Sequence, residues 1–144
     1  MVLLPSALEI YNDVVLTSTA VYTEQPVELQ NRLEWWRART SQGFPVLVAR
    51  CAYGILGFAS FGEFRSWPCY AGTVEHSVHV HAQHRGKGIG TRLVLALLAR
   101  AETLNKHVMV GGIDADNVSS LRLHRKLGLV NAGHFSEVGR KFSR

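Results

Sequence analysis

Two cysteines in 144 residues are too few for a disulfide framework. Neither Cys51 nor Cys69 sits in a motif that would activate a nucleophile, and a reduced, cytoplasmic setting is the expectation. Long apolar runs are also missing: no stretch approaches the ~20 residues of a membrane span. The opening Met1-Val2-Leu3-Leu4-Pro5 has neither the basic leader nor the full apolar segment of a signal peptide. Charged residues make up only 19% and hydrophobic residues 47%, which excludes a disordered chain. No linker, repeat or low-complexity stretch interrupts residues 1–144, which read as a single domain able to bury roughly two-thirds of its unfolded surface. Acidic residues are in the minority, 11 against 16 basic ones, for a net charge of +5. Part of that excess lies in Arg85, Lys87, Arg122, Arg125, Lys126, Arg140, Lys141 and Arg144. No nucleic-acid module accompanies it, so nucleic acid is not the expected partner.

What is present centres on residues 78–105. A β-prone run, Val78-His79-Val80, enters the turn Arg85-Gly86-Lys87-Gly88-Ile89-Gly90, and an amphipathic helix follows from Thr91 to Asn105. Glycines let the backbone approach a ligand and reach positive φ. The first N–H groups of the helix have no intrahelical partner and, with the helix dipole, suit phosphate oxygens. The turn reads as a pyrophosphate cradle, against the plainer reading of a simple connector, which would not need Arg85 and Lys87. The dinucleotide fingerprint fails because its third glycine position is Thr91, and a P-loop fails because Gly88 follows Lys87.

Around this turn the periodicity predicts an α/β chain. Residues 6–21 open with a helix that Thr17-Ser18-Thr19 ends, and Ala20-Val21-Tyr22-Thr23 looks extended. Pro26 opens a second helix with Leu29, Leu33 and Trp36 on one face and Glu28, Arg32 and Arg39 on the other. Val46–Ala49 and Ile55–Phe61 form a hairpin, and Thr73–Val80 is the strand feeding the turn. In the helix after the turn, Ile89, Leu93, Ala96, Leu97, Ala101 and Leu104 make the apolar stripe. Val108–Ile113 is a strand, Asn117–Leu127 a helix capped by Asn-x-Ser-Ser with Gly128 just beyond its end, and Asn131–Gly139 a further strand with its turn.

Gln83-x-x-Gly86-x-Gly88 between strand and helix resembles the acetyl-CoA signature of the GCN5-related N-acetyltransferases (GNAT). Asn117, Ser119-Ser120 and Leu123-His124-Arg125-Lys126-Leu127-Gly128-Leu129 look like that superfamily's second motif. Further segments resemble its phosphinothricin and methionine sulfone acetyltransferase branch: Tyr22-Thr23-Glu24-x-Pro26-Val27, Gly43–Ala49, Phe64-Arg65-x-Trp67, Thr73–Val78, His107–Ile113 and Val138–Phe142. The resemblance implies a central mixed sheet, splayed at the cofactor strand and flanked by helices. It departs at both ends: only Val2-Leu3-Leu4 stands where a first strand is usual, and the chain stops at Arg144 before a usual last strand.

The resemblance also implies acetyl transfer from acetyl-CoA, without a metal, to the α-amine of a small amino-acid-like substrate. Such a reaction needs a base for the amine, and Glu75 is the candidate, acting through water. The alternative is a carboxylate paired with an arginine or with His76. His76 alternates with Glu75 along the strand, so the two side chains are expected on opposite faces and not in one pocket; His76 is read as packed or as a minor substrate contact beside Ser77. His124 stands where many members carry the tyrosine that protonates the departing thiolate. An imidazole with an ordinary pKa near 6.5 suits that task, and a histidine bonding the sheet is the other reading. By resemblance Val78, His79 and Val80 run along the pantetheine, with a backbone N–H near Val80 on the thioester oxygen. Arg85, Gly86, Lys87, Gly88, Ile89, Gly90 and Thr91 hold the pyrophosphate, and Asn117 and Ser120 meet the pantetheine arm. Arg65, Ser66 and Trp67 are expected to hold an anionic substrate, with Tyr22 either an aromatic wall or a core residue. Arg140-Lys141-Phe142 reads either as an arm reaching into a homodimer partner's site or as a solvated tail. His79-x-His81 has metal-ligating residue types but no convincing metal spacing. A protein or peptide acetyltransferase and a non-catalytic acyl-CoA-binding module are the rival functions.

Overall fold

The computed structural model describes residues 3–144. Met1 and Val2, the start of the run that stands in for a first strand, lie outside the described residues. Helix α1 (Leu4–Thr17) has Pro5 in its first turn and buries Leu4, Ala7, Ile10, Val14 and Val15 at helical spacing. It ends where Ser18 turns extended and its N–H bonds the Val14 carbonyl. Ala20–Thr23, expected to be extended, forms bends without a ladder partner.

Helix α2 (Leu29–Ser41) starts three residues after Pro26, and its inner side is broader than expected. Leu33 and Trp36 are half-buried as expected, but so are Arg32, Trp35 and Arg39, while Leu29 is exposed. Trp35 packs edge-on against Phe58. The Arg32 guanidinium lies 4.0 Å from the Tyr11 ring centre and 4.9 Å from that of Trp35. Aromatic faces attract a cation and accept the apolar stem of arginine, so residue class alone misled here.

Strands β1 (Val46–Cys51), β2 (Gly54–Glu63) and β3 (Thr73–Val80) pair antiparallel in sequence order. Strand β4 (Val108–Gly111) lies parallel to β3, which requires a crossover, and helix α3 (Ile89–Thr103) supplies it. Alternation along the strands separates two cores. Ala59, Phe61 and Val74 pack against Leu93, Leu97 and Ala101 of α3 on one face. Ile55 and Phe58 pack against Ala7 and Ile10 of α1 on the other. Ile55 and Phe58 share a face because the β1–β2 register shifts between Ala49 and Arg50, skipping Leu56. In α3 the buried stripe includes Val94, whereas Ala96 is exposed, a small rotation from the expected face.

The β3–β4 ladder runs only from Thr73–Val108 to His76–Gly111. Strand β3 continues four residues further with no neighbour on that side among the described residues, and this parting forms the cleft. Helix α4 (Val118–Lys126) follows β4, with Asn117 as its N-cap: the Asn117 Oδ1 accepts from the Ser120 N–H at 3.2 Å.

Residues 131–139, expected as a strand, form none. Val130, Phe135 and Val138 stay exposed; β-prone residues need a neighbouring strand to complete a ladder, and nothing pairs with them. In the tail, Arg140 and Phe142 are exposed, but Lys141 departs from the solvated reading. Lys141 is buried and its Nζ donates to the carbonyls of Ser18 and Val21, each at 2.6 Å, while the Phe142 N–H donates to Glu24.

Candidate active site

The glycine turn has the form the sequence predicted. Gly86 and Gly88 sit at φ +76° and +81° with open space where a Cβ would stand, so backbone conformation, not crowding, demands glycine. Gly88 is the N-cap of α3 and offers no side-chain cap. The first intrahelical bond runs from the Arg92 N–H to the Gly88 carbonyl, leaving the N–H groups of Ile89, Gly90 and Thr91 without intrahelical acceptors. Arg85 and Lys87 are both exposed. Arg85 reaches back to the Val80 carbonyl and stands 3.8 Å from Asp13. A pyrophosphate fits these donors and charges.

Backbone parity settles what β3 offers to the cleft. The His81 N–H bonds the Leu56 carbonyl of β2. Successive residues of a strand point their backbone groups to opposite sides, so the Val78 and Val80 N–H groups face away from β2, where β4 has already left. A pantetheine arm can therefore be received there like an added strand. Beyond the end of β4, a cavity of about 240 Å³ is bordered by Glu75, His76, Ser77, Val78 and His79 from β3, and by Gly111–Asp114, Asn117, Ser120 and His124. Glu75 and His76 do lie on opposite faces of β3, yet both border this cavity, because it opens through the sheet where the strands part. That corrects the expectation that only one of them would.

Glu75 is exposed, and among the described residues no cation lies within 4 Å of its carboxylate. It is not bonded to His76 either, which is buried and engaged elsewhere: its Nδ1 lies 3.0 Å from the Val110 carbonyl oxygen and its Nε2 2.9 Å from His124 Nε2. His124 Nδ1 lies 2.7 Å from the Ser120 carbonyl oxygen. Burial pushes the His76 imidazolium below its ordinary range; the hydrogen bond to the Val110 carbonyl works against this, and the neighbouring His124 works with it.

On the α1 face a second cavity, of about 260 Å³, shares Ala20, Ser77 and His79 with the first and adds Tyr11, Val21, Arg32, Trp35 and Phe58. His79 is buried between the Tyr11 and Phe58 rings, with its Nδ1 unpartnered. Burial, aided by the Arg32 and Arg85 charges, pushes its pKa down to about 4. Tyr11, Arg32 and Trp35 were missed from sequence; the Arg-x-x-Trp spacing, which places both residues on one helix face, was the available signal.

Arg65, Ser66 and Trp67 stand on the exposed β2–β3 loop and border neither cavity; the Arg65 guanidinium stacks 4.2 Å from the Phe64 ring centre. Tyr22 is half-exposed, so it is not a core residue, and it lies against Gly139. His81 caps the turn after β3 through its Nδ1, apart from the buried His79. Among the described residues no three His, Cys, Asp or Glu side chains gather to hold a metal.

This cleft between parting parallel strands, with a glycine turn at its mouth, defines an acyl-CoA acyltransferase fold. The acetyltransferase (GNAT) family profile matches residues 7–129, and the chain belongs to that family. It is 49% identical over 142 residues to an L-methionine sulfoximine/L-methionine sulfone acetyltransferase of Pseudomonas paraeruginosa, covering 98% of this chain and 83% of that protein. A phosphinothricin acetyltransferase of Sinorhizobium meliloti, solved in complex with acetyl-CoA, superposes with a TM-score of 0.94 at 34% identity, over 98% of this chain and 77% of the other. A ribosomal-protein-alanine N-acetyltransferase of Brucella melitensis superposes at 0.96 with 41% identity, over 98% and 87%. Acetyl-CoA is the co-substrate of this family, and the donors at the turn and along β3 fit it.

Proposed function

We propose that this chain transfers an acetyl group from acetyl-CoA to the α-amine of a small amino acid with a tetrahedral polar head, of the methionine sulfone, methionine sulfoximine or phosphinothricin type. The observation that carries this reading is Glu75, an unpaired carboxylate bordering the cavity into which the open edge of β3 faces. Glu75 takes the amine proton through water. The Val80 N–H holds the thioester oxygen as charge develops there, and Val78 and His79 run beside the pantetheine. The free amides of Ile89, Gly90 and Thr91, with Gly86, Gly88, Arg85 and Lys87, hold the pyrophosphate. The Asn117 side-chain NH₂, left over from capping, and Ser120 meet the pantetheine arm. His124 returns a proton to the thiolate. Ser77, which borders the cavity, and Tyr22 contact the acceptor. Arg65, Ser66 and Trp67 border neither cavity and take no part in holding its head, and His76 is occupied by Val110 and His124. The enzyme works in the cytoplasm as a homodimer.

Thiol release from acetyl-CoA tests this reading, with methionine sulfone, methionine sulfoximine, phosphinothricin, ordinary amino acids and alanine-initiated peptides as acceptors. Turnover confined to the tetrahedral-headed amino acids is expected. Glu75→Gln should then keep coenzyme A binding and lose at least 100-fold in kcat. Turnover of peptides alone would move the assignment to a protein acetyltransferase. Binding without turnover of any acceptor would leave an acyl-CoA-binding module.

A further inference from the structure

The one fully buried residue of helix α4 is His124, flanked by half-buried Leu121 and Leu123. Its contact there is another imidazole, His76 of β3, with the ring centres 5.0 Å apart and the Nε2 atoms at 2.9 Å. The outer nitrogen of each ring meets a main-chain carbonyl: His76 Nδ1 at 3.0 Å from the Val110 oxygen, His124 Nδ1 at 2.7 Å from the Ser120 oxygen. A carbonyl oxygen only accepts, so both Nδ1 atoms carry a hydrogen. Two neutral rings of that tautomer would oppose lone pair to lone pair across 2.9 Å. Moving a proton to either Nε2 would instead set a bare Nδ1 against a carbonyl. The Ser120 hydroxyl, at 3.4 Å from His124 Nδ1, is a longer contact than its carbonyl. Both short carbonyl contacts and the Nε2–Nε2 contact are satisfied together only when one further proton lies between the Nε2 atoms, giving three protons and one positive charge on four ring nitrogens. The site is built for this pair: a Cβ on Gly111 would stand 2.7 Å from His76 Cε1.

We propose that His76 and His124 share a single proton between their Nε2 atoms, and that His76 is the positioning residue that retains this proton at the cofactor cleft. The proposal rests on the reading of His124 as the group that protonates the thiolate. The amine nitrogen forms its bond to the acetyl carbon, the carbon–sulfur bond breaks, and its electron pair stays on sulfur. The shared proton passes to that sulfur and completes the thiol. The amine's surplus proton departs through Glu75 and water. Both rings are then neutral with facing lone pairs, and the repulsion between them favours recharging from solvent through the cavity that both rings border. The other titratable groups at that cavity are Glu75 and His79 of β3 and Asp114 beyond β4. Arg122, Arg125 and Lys126 of α4 are exposed. The carboxylates favour the charged pair, whereas burial and the basic side chains oppose it.

The test is a long-range ¹H–¹⁵N correlation spectrum of the uniformly labelled full chain, followed from pH 5 to 9. Both Nδ1 signals are expected in the protonated range, with the two Nε2 signals moving together through one coupled titration. A bare Nδ1 on either ring, or two rings titrating independently, would overturn the shared proton whatever the activity. Kinetics test the rest. His76→Phe should lower kcat about 10-fold or more and shift the pH profile while KM for acetyl-CoA changes little. His76→Gln, whose amide oxygen accepts from His124 Nε2, should recover part of the loss. A shared proton seen in the spectra of a protein whose His124→Phe variant keeps full kcat would overturn the role toward the thiolate and leave the pair as the fastening of α4 alone.

Discussion

Helices α3 and α4 flank the same cleft but are held to the sheet by different physics. The first buries Leu93, Val94, Leu97 and Ala101 against the strands. The second fully buries His124, with Leu121 and Leu123 half-buried beside it. Each large apolar side chain removed from water contributes ~1.5–3 kcal/mol regardless of pH, so the cradle at the start of α3 stands on a foundation insensitive to conditions. The buried polar contact of α4 is the ring pair His76–His124, with 2.9 Å between the Nε2 atoms, beside half-buried Leu121 and Leu123, the latter packed on Gly90. An apolar anchor thus carries the glycine turn, and an anchor with a polar ring pair at its centre carries His124.

The largest effect is expected from breaking the apolar side of this comparison. Leu97→Ala, at a fully buried position, should cost about 2–5 kcal/mol in denaturant unfolding and weaken the whole chain cooperatively. Acid should come next. The folded pKa of His79 is about 4, against an ordinary 6.5, so the folded chain binds fewer protons between those values. Stability is therefore full above about pH 6.5, falls as pH drops, and by about pH 4 has lost roughly 3 kcal/mol. His79→Phe should flatten that slope in thermal melts at matched ionic strength. His124→Leu should cost about 1–2 kcal/mol, read as faster hydrogen exchange in Val118–Lys126 with protection of α3 unchanged. Equal loss in both helices would remove the contrast drawn here. The smallest effect on stability belongs to Gly88→Ala, about 1 kcal/mol for a positive φ. Its larger consequence should be weakened coenzyme A binding, measured by calorimetry.

Much of this was legible in the chain. Strand β3 spans Thr73–Val80 as read from its residues, and the glycine turn was legible because positive φ at Gly86 and Gly88 demands glycine. Helix α3 was legible because a long stripe repeats its signal every turn, although the buried face is rotated enough to take in Val94. Helix α2 was misread for a physical reason: Arg32 and Arg39 look like solvent residues, yet stacked on Tyr11 and Trp35 they form part of its inner side. The strand expected at 131–139 failed for another. Val130, Phe135 and Val138 satisfy the local preference, but a ladder is a property of two segments, and alternation within one cannot supply the other.

Lys141 and the histidine pair belong to the same class. Nothing near Lys141 in the chain announces that its ammonium will be taken up by the carbonyls of Ser18 and Val21, more than a hundred residues away. His76 and His124 are 48 residues apart and each had a defensible reading alone. Local periodicity, caps and glycine placement determined most of the elements and the glycine turn, because those depend on neighbours a few residues away. Where the strands part, that Glu75 and His76 reach one cavity from opposite faces, and that two imidazoles meet nitrogen to nitrogen were decided by tertiary structure, because hydrogen bonds and shared protons depend on distance in space.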